Sequence, residues 1–319
     1  VNLSLETNEL SKQARGGTEL MLEALHARLD PRLTSHFQII PERVRTLDPD
    51  RLRILWLHNT PSREESGFLE EREGRAAFAG MVCVSHYQAS LFNLIPRVPY
   101  GEMTVLQNAI EPFGAYRPRT SERIRLIYHT TPHRGLNILV PVFEHLAQTD
   151  PHIELDVFSS FSIYGWSERD RPYESLFERC RAHPRIRYHG AVPNSVVRNA
   201  LAECDIFAYP SIHAETSCVA AIEAMSAGCL VVSSAYGALP ETCANFARLY
   251  PYTEDMSVHA HRFLHTLDKA IRDVRERRHE DFVLREQQVA YFNQFYSWER
   301  RIGEWEAYLR GVLAQHRRM

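Results

Sequence analysis

Two carboxylates eight residues apart, Glu215 and Glu223, stand out within Tyr209-Pro-Ser-Ile-His-Ala-Glu215-Thr-Ser-Cys-Val-Ala-Ala-Ile-Glu223-Ala-Met-Ser-Ala-Gly228. A strand over Ile206–Tyr209 stops at Pro210-Ser211, a loop delivers Glu215, and a helix is expected from Thr216 or Ser217 to near Gly228. On such a helix the two carboxylates share a face roughly 12 Å apart. Backbone N–H groups at its start, with the positive end of the helix dipole, suit a diphosphate. A carboxylate accepts paired sugar hydroxyls. The plain alternative is that Glu215 caps the helix and Glu223 faces water. Against it, Ala220, Ala221, Ile222, Ala224 and Met225 make the surroundings of Glu223 apolar, where a carboxylate needs a partner.

A bound diphosphate also needs positive charge. The stretch Tyr128-His129-Thr130-Thr131-Pro132-His133-Arg134-Gly135 follows a strand and precedes a helix, and places Arg134 before a helix-opening glycine. Thr130 and Thr131 add hydroxyls, whereas His129 and His133 are equally served by structural or surface roles. Near the N-terminus, Arg15-Gly16-Gly17-Thr18-Glu19 leads into an amphipathic helix, and its glycines either admit a ligand to the backbone or form a plain turn. His58 ends an apolar strand, where a site residue and a satisfied core histidine are both at home.

The elements that must position these residues fall into two blocks. In the first, Val1–Leu5, Phe37–Ile40, Arg53–His58, Met81–Ser85 and Met103–Gln107 read as strands, with helices over Thr18–Leu29 and Tyr87–Leu94. Glu111–Ser121, with two prolines, a glycine and no apolar period, reads as a linker. The second block runs through Ile124–His129, Ile153–Phe158, Ile186–Tyr188, Ile206–Tyr209, Leu230–Ser233 and Ala247–Tyr250, with helices between. That alternation predicts a parallel sheet with right-handed crossovers. From Asp255 onward the pattern is helical, with Trp298, Trp305 and Tyr308 expected to pack as core and Arg275–Arg278 to face solvent. The expected divisions are 1–112, a linker over 113–122, a second α/β domain over 123–296, and a last helix over 297–319.

The 319 residues exceed the usual size of one core. A formal net charge of -3 argues against nucleic acid as a partner, because a phosphate-tracking surface needs excess Lys and Arg. Six cysteines occur with no C-x-x-C pair, and four of them sit among apolar or small neighbours, as reduced core thiols do. A cytoplasmic setting without a structural zinc site is therefore expected. No apolar run reaches bilayer-spanning length and no secretory leader is visible, while peripheral contact with a membrane surface stays compatible with the sequence.

The segment around Glu215 and Glu223 resembles the donor-binding signature of the retaining GT-B glycosyltransferases of group 1, which include phosphatidylinositol mannosyltransferases and sucrose synthases. The resemblance is carried by Pro210-Ser211, Glu215, Glu223-Ala-Met225, Ala227-Gly228, Val231-Val232 and Gly237-Ala-Leu-Pro-Glu241. Tyr188-His-Gly190-Ala-Val192, Val82-Cys-Val-Ser85 and Asn108-Ala-Ile110 extend it, loosely, into both halves. It implies two Rossmann-like α/β domains facing across a cleft, with C-terminal helices crossing back. It also implies transfer of a sugar from a nucleoside diphosphate, UDP in preference to GDP, with retention and without a metal or other cofactor. The acceptor is left open among a sugar, a lipid-linked glycan or another glycan.

By this resemblance Glu223 holds the ribose hydroxyls and Glu215 the transferred sugar. Backbone amides at Ser217, Cys218 and Val219 meet the diphosphate, and Arg134 stands where the family has its lysine. Gly16 and Gly17 form the first domain's glycine loop, and His58 lies near the sugar. Three departures are visible: Cys218 replaces a glycine, Leu230 a proline, and His129 an arginine, with Thr130 beside it. The thinner cation loop keeps two other readings open, a sugar-nucleotide epimerase and a non-catalytic sugar-nucleotide-binding subunit.

Overall fold

A computed structural model describes residues 17–119, 121–276 and 282–317. The chain divides into two compact units, Val1–Ile110 with Tyr296–Met319, and Glu111–Phe295. The strand expected at Val1–Leu5, with Arg15 and Gly16, lies outside the described residues.

In the first unit the elements run α1 (Gly17–Arg28), α2 (Pro31–Thr34), β1 (Phe37–Pro41), β2 (Leu52–Leu57), α3 (Arg63–Ser66), α4 (Arg72–Ala76), β3 (Gly80–Cys83), α5 (His86–Leu94) and β4 (Met103–Val105). The four strands pair in parallel in the order β1-β2-β3-β4. Leu22 and Leu25 of α1, and Leu29 just after it, are buried. Sequence reasoning did not anticipate α3 and α4, which are short and charged and carry no long apolar period.

The second unit runs β5 (Ile124–Tyr128), α6 (Leu136–Thr149), β6 (Ile153–Val157), α7 (Glu174–Ala182), β7 (Ile186–Tyr188), α8 (Asn194–Glu203), β8 (Ile206–Tyr209), α9 (Val219–Ser226), β9 (Leu230–Ser234), α10 (Leu239–Thr242), β10 (Arg248–Tyr250), α11 (Met256–Glu276) and α12 (Phe282–Phe295). Its six strands are parallel in the order β10-β9-β8-β5-β6-β7. The central strands β8 and β9 are buried along their whole length, as strands covered on both faces must be. Helix α6 packs with α7 and α11, while α9 packs with α8 and α12, so each face of the sheet has its own helix layer. From β5 the chain winds outward through β6 and β7, then returns to β8 and winds the other way. The order therefore reverses between β5 and β8, where ligands of open α/β sheets bind outside the carboxyl ends.

The stretch 111–119 is bound down rather than free. Phe113 N donates to Ser226 Oγ at 3.1 Å and its carbonyl accepts from Asn293 Nδ2 at 2.8 Å. Arg119 donates to the carbonyls of Leu201 and Ala227. The chain rejoins the first unit at Tyr296, where α13 (Trp298–His316) begins behind a Ser297 cap. There Ile110 N donates to Tyr296 O at 2.8 Å, and the fully buried rings of Trp305 and Trp56 meet edge-on at 5.1 Å. No helix among the described residues is long and apolar enough to cross a membrane.

Candidate functional site

The β5–α6 turn is built around Gly135. Its φ of 125° lies in a region closed to most side chains, and a Cβ there would sit 2.2 Å from Pro210 O. Only glycine lets this turn close against the end of β8, and Ile212 N then donates to Arg134 O at 3.4 Å. The closure sets Arg134 Nη1 2.6 Å from Glu215 Oε1, and the Tyr209 hydroxyl donates to the same oxygen at 2.5 Å. Glu215 is only 4% exposed. From the other side, Ala238 N donates to Glu215 O at 2.7 Å, and Gly237, at φ 64°, would place a Cβ 2.4 Å from that carbonyl.

Burial opposes the charge of Arg134, but Glu215, with Tyr209 and Tyr164, keeps its pKa raised and the guanidinium protonated. The turn's histidines behave otherwise. Burial lowers His129 to about 3, outweighing its backbone hydrogen bond at Ala220. Burial, then Arg134 and His213, lower His133 to about 4. Near neutral pH this turn carries its permanent charge on Arg134. His129 Nε2, Thr130 Oγ1 and Arg134 Nε are buried with no hydrogen-bond partner, which in a folded protein asks for an explanation such as a ligand.

The carboxylate geometry differs from the expectation. Helix α9 starts at Val219, with Cys218 at the N-cap, so Glu215 lies in the loop before it and does not share a helix face with Glu223. The contacts of Glu215 to Arg134, Tyr209 and Ala238 hold this segment off the helical path. Neither Glu215 nor any other side chain caps α9. Its first-turn N–H groups lack intrahelical acceptors and project at the dipole's positive end, beside half-buried Ser217 and Val219 and buried Cys218.

Glu223 sits about one turn into α9 and is 8% exposed, not solvated. Its Oε1 accepts from Arg198 Nη1 at 3.1 Å and Asn194 Nδ2 at 3.4 Å, both on α8. Burial nonetheless raises its pKa, against the lowering effect of Arg198 and Asn194. Asn194, Arg198 and Tyr209 had not been singled out from sequence. The apolar run around Glu223 signalled that a partner must exist, but not which one.

Arg134, Glu215, His129, Thr130, Ser217, Cys218, Val219 and Glu223 thus all lie in the second unit. Gly17 and His58 lie in the first, and Gly16 is outside the described residues. Gly17 opens α1, and a Cβ there would meet nothing within 4 Å, so no close approach within the chain requires glycine. His58 follows β2 and packs on Trp56 at 4.4 Å. Its N–H donates to Glu42 Oε2, and burial lowers the ring to about 3. Among the described residues, no group of three or more His, Cys, Asp or Glu is placed to hold a metal ion.

Comparison with known proteins bears on the same region. Residues 125–268 match the family model described as glycosyl transferases group 1. One subunit of the human phosphatidylinositol N-acetylglucosaminyltransferase is 29% identical over 167 residues, which cover 50% of this chain and 33% of that protein. The chain therefore matches only about a third of that relative's length. Anabaena HepE, solved with UDP-glucose, superposes with a TM-score of 0.60 at 16% identity, over 83% of this chain and 72% of its own. The pneumococcal O-GlcNAc transferase GtfA, solved with UDP and GlcNAc, gives 0.66 at 12% identity, over 93% and 60%. The solved structures speak to the fold, two parallel α/β units of the GT-B class. The family match lies wholly within residues 111–295, so it is the second unit that is similar to group 1 glycosyl transferases.

Proposed function

We propose that the chain transfers a sugar from a nucleoside-diphosphate sugar, UDP in preference to GDP, to a glycan or lipid-linked acceptor, with retention and without a metal. The observation that carries this reading is the meeting, at the β5/β8 reversal, of Arg134, Glu215 and the uncapped start of α9. Arg134 and the α9 amides would stabilise the departing diphosphate, Glu215 would orient the sugar, and Glu223 would take the ribose hydroxyls. UDP in the HepE and GtfA structures supports the choice of base. A cytoplasmic setting is part of the proposal, supported by six buried, unpaired cysteines.

The neutral His129 favours a second reading, a non-catalytic nucleotide-sugar-binding subunit, because it leaves Arg134 as the turn's charge. Thermal unfolding with UDP- and GDP-sugars, with and without EDTA, tests the donor site, since a ligand specific to the native state raises the melting temperature. Stabilisation by a UDP-sugar that survives EDTA is expected. No stabilisation by any of them would sink the donor assignment. Stabilisation without sugar transfer or slow donor hydrolysis would select the non-catalytic reading.

A further inference from the structure

A concavity lies on the α6–α7 side of the sheet and shares the β5–α6 turn with the Arg134–Glu215 pair. It holds about 550 Å³, within the usual range for small-molecule pockets, and His133, Asn137, Tyr173, Ser175, Arg179 and Ile212 line it with Pro172 and Leu176. Its position follows from the two helix layers. Asn137 lies in the first turn of α6, and Ser175 and Arg179 belong to α7, whereas Glu223 is on α9 in the other layer.

The lining is polar but electrically balanced. Both oxygens of Glu144 accept from Arg179, Oε1 from Nε at 2.7 Å and Oε2 from Nη2, so the guanidinium is already matched. His133 is neutral near pH 7, and its Nδ1 is buried with no hydrogen-bond partner. Asn137, Ser175 and Tyr173 add an amide, a hydroxyl and a phenol, which donate and accept without charge. Tyr173, Pro172 and Leu176 provide apolar surface between them. One wall is held in place: Phe161 stacks on His133 at 5.2 Å and touches Tyr173 at 5.9 Å. The segment carrying Phe161 is pinned by Asp170, which accepts from Phe161 N at 2.7 Å and Ser160 Oγ at 2.5 Å.

We propose that this cavity is a second carbohydrate site, taking a small uncharged saccharide by its hydroxyls and its apolar ring face. An anion finds little there, because the cation is neutralised and the imidazole is uncharged. A purely apolar ligand would leave His133, Asn137 and Ser175 unmatched. The sequential neighbour of His133 is Arg134, so the β5–α6 turn is a shared wall between this cavity and the Arg134–Glu215 pair. Saccharide binding here does not depend on transfer activity, so the two readings fail separately.

The test uses the whole chain with labelled histidine, titrated with methyl glycosides of glucose, mannose, galactose and N-acetylglucosamine, and with inorganic sulfate. At least one glycoside is expected to shift the His133 ring resonances saturably, and sulfate is not. Tyr173→Ala and Ser175→Trp, the first removing a wall and the second filling the space from an exposed helix position, should each weaken that glycoside about tenfold or more. Both variants should keep any stabilisation by UDP-sugar, which also reports that they fold. The proposal is overturned if no glycoside moves His133, if sulfate moves it as strongly, or if both variants bind the glycoside as the parent does. Joint loss of glycoside and UDP-sugar binding in a folded variant would equally overturn a separate site.

Discussion

Arg134 Nη1 and Glu215 Oε1 lie 2.6 Å apart across 81 residues of chain, and the carboxylate is almost wholly withdrawn from water. Removing one partner of such a pair leaves the other buried and uncompensated. Arg134→Ala is therefore expected to cost about 3 kcal/mol of stability. Arg134→Ala combined with Glu215→Gln should cost less than Arg134→Ala alone. Urea unfolding of both variants checks this, and equal or greater loss in the double variant would show that the pair is not energetically coupled.

The same arginine is assigned to the leaving group, so its effect on rate is predicted separately. Arg134→Ala should lower kcat more than it raises the KM for the donor, because charge on the diphosphate grows in the transition state. Steady-state kinetics that showed only a KM effect would move Arg134 to ground-state binding.

Glu223→Ala should abolish detectable donor binding, since the proposed ribose acceptor disappears and Arg198 loses its carboxylate. Calorimetric titration with UDP measures it. Wild-type affinity in the variant would remove Glu223 from the site.

Glu42 gives a pH signature for the first unit. Burial raises its carboxyl from 4.5 to about 7, although the N–H groups of His58 and Asn59 stabilise the ionised form. A carboxyl raised on folding contributes stability that is present in full below its unfolded pKa and is lost as pH rises through the folded value. At about 1.4 kcal/mol per unit, the parent should lose about 2–3 kcal/mol between pH 4.5 and 8 that Glu42→Gln does not. Unfolding of the two proteins at pH 5 and pH 8 reads the difference, and parallel pH curves would contradict the prediction.

All six cysteines are buried and unpaired. Burial pushes the thiols of Cys83, Cys180 and Cys243 up to about 12 and that of Cys229 to about 11, while Cys204 and Cys218 also rise. Since the thiolate is the reactive form, a thiol-specific chromogenic reagent should label none of them quickly at pH 8 and all of them in denaturant. Fast labelling of Cys218 in the native protein would mean that the start of α9 is open.

The strands of the second unit were legible because the central ones are short apolar runs bounded by turn residues; their order in the sheet was not read. Ile206–Tyr209 was read to the residue, and Leu230–Ser233 to within one position. The start of α9 was not legible. Its local sequence is compatible with a helix from Thr216, and what prevents it is a set of contacts with Arg134, Tyr209 and Ala238, remote or across a turn. Arg198 was missed for the same reason: an arginine on an amphipathic helix looks solvated until the fold places a buried carboxylate opposite it. The short helices within 63–76 and the 3-10 turns of 161–173 also escaped, being too brief to show a period.

The return of the chain to the first unit at Tyr296 has a consequence for biosynthesis. A ribosome releases residues 17–110 long before it makes Trp305, the ring that closes against Trp56. The first unit must then wait, with Trp56 uncovered, while the whole continuous second unit emerges and acquires its sheet. Nascent-chain folding should therefore run in reverse of chain order, the middle before the beginning, and a stop codon a few residues past Phe295 should strand the first unit as a target for chaperones.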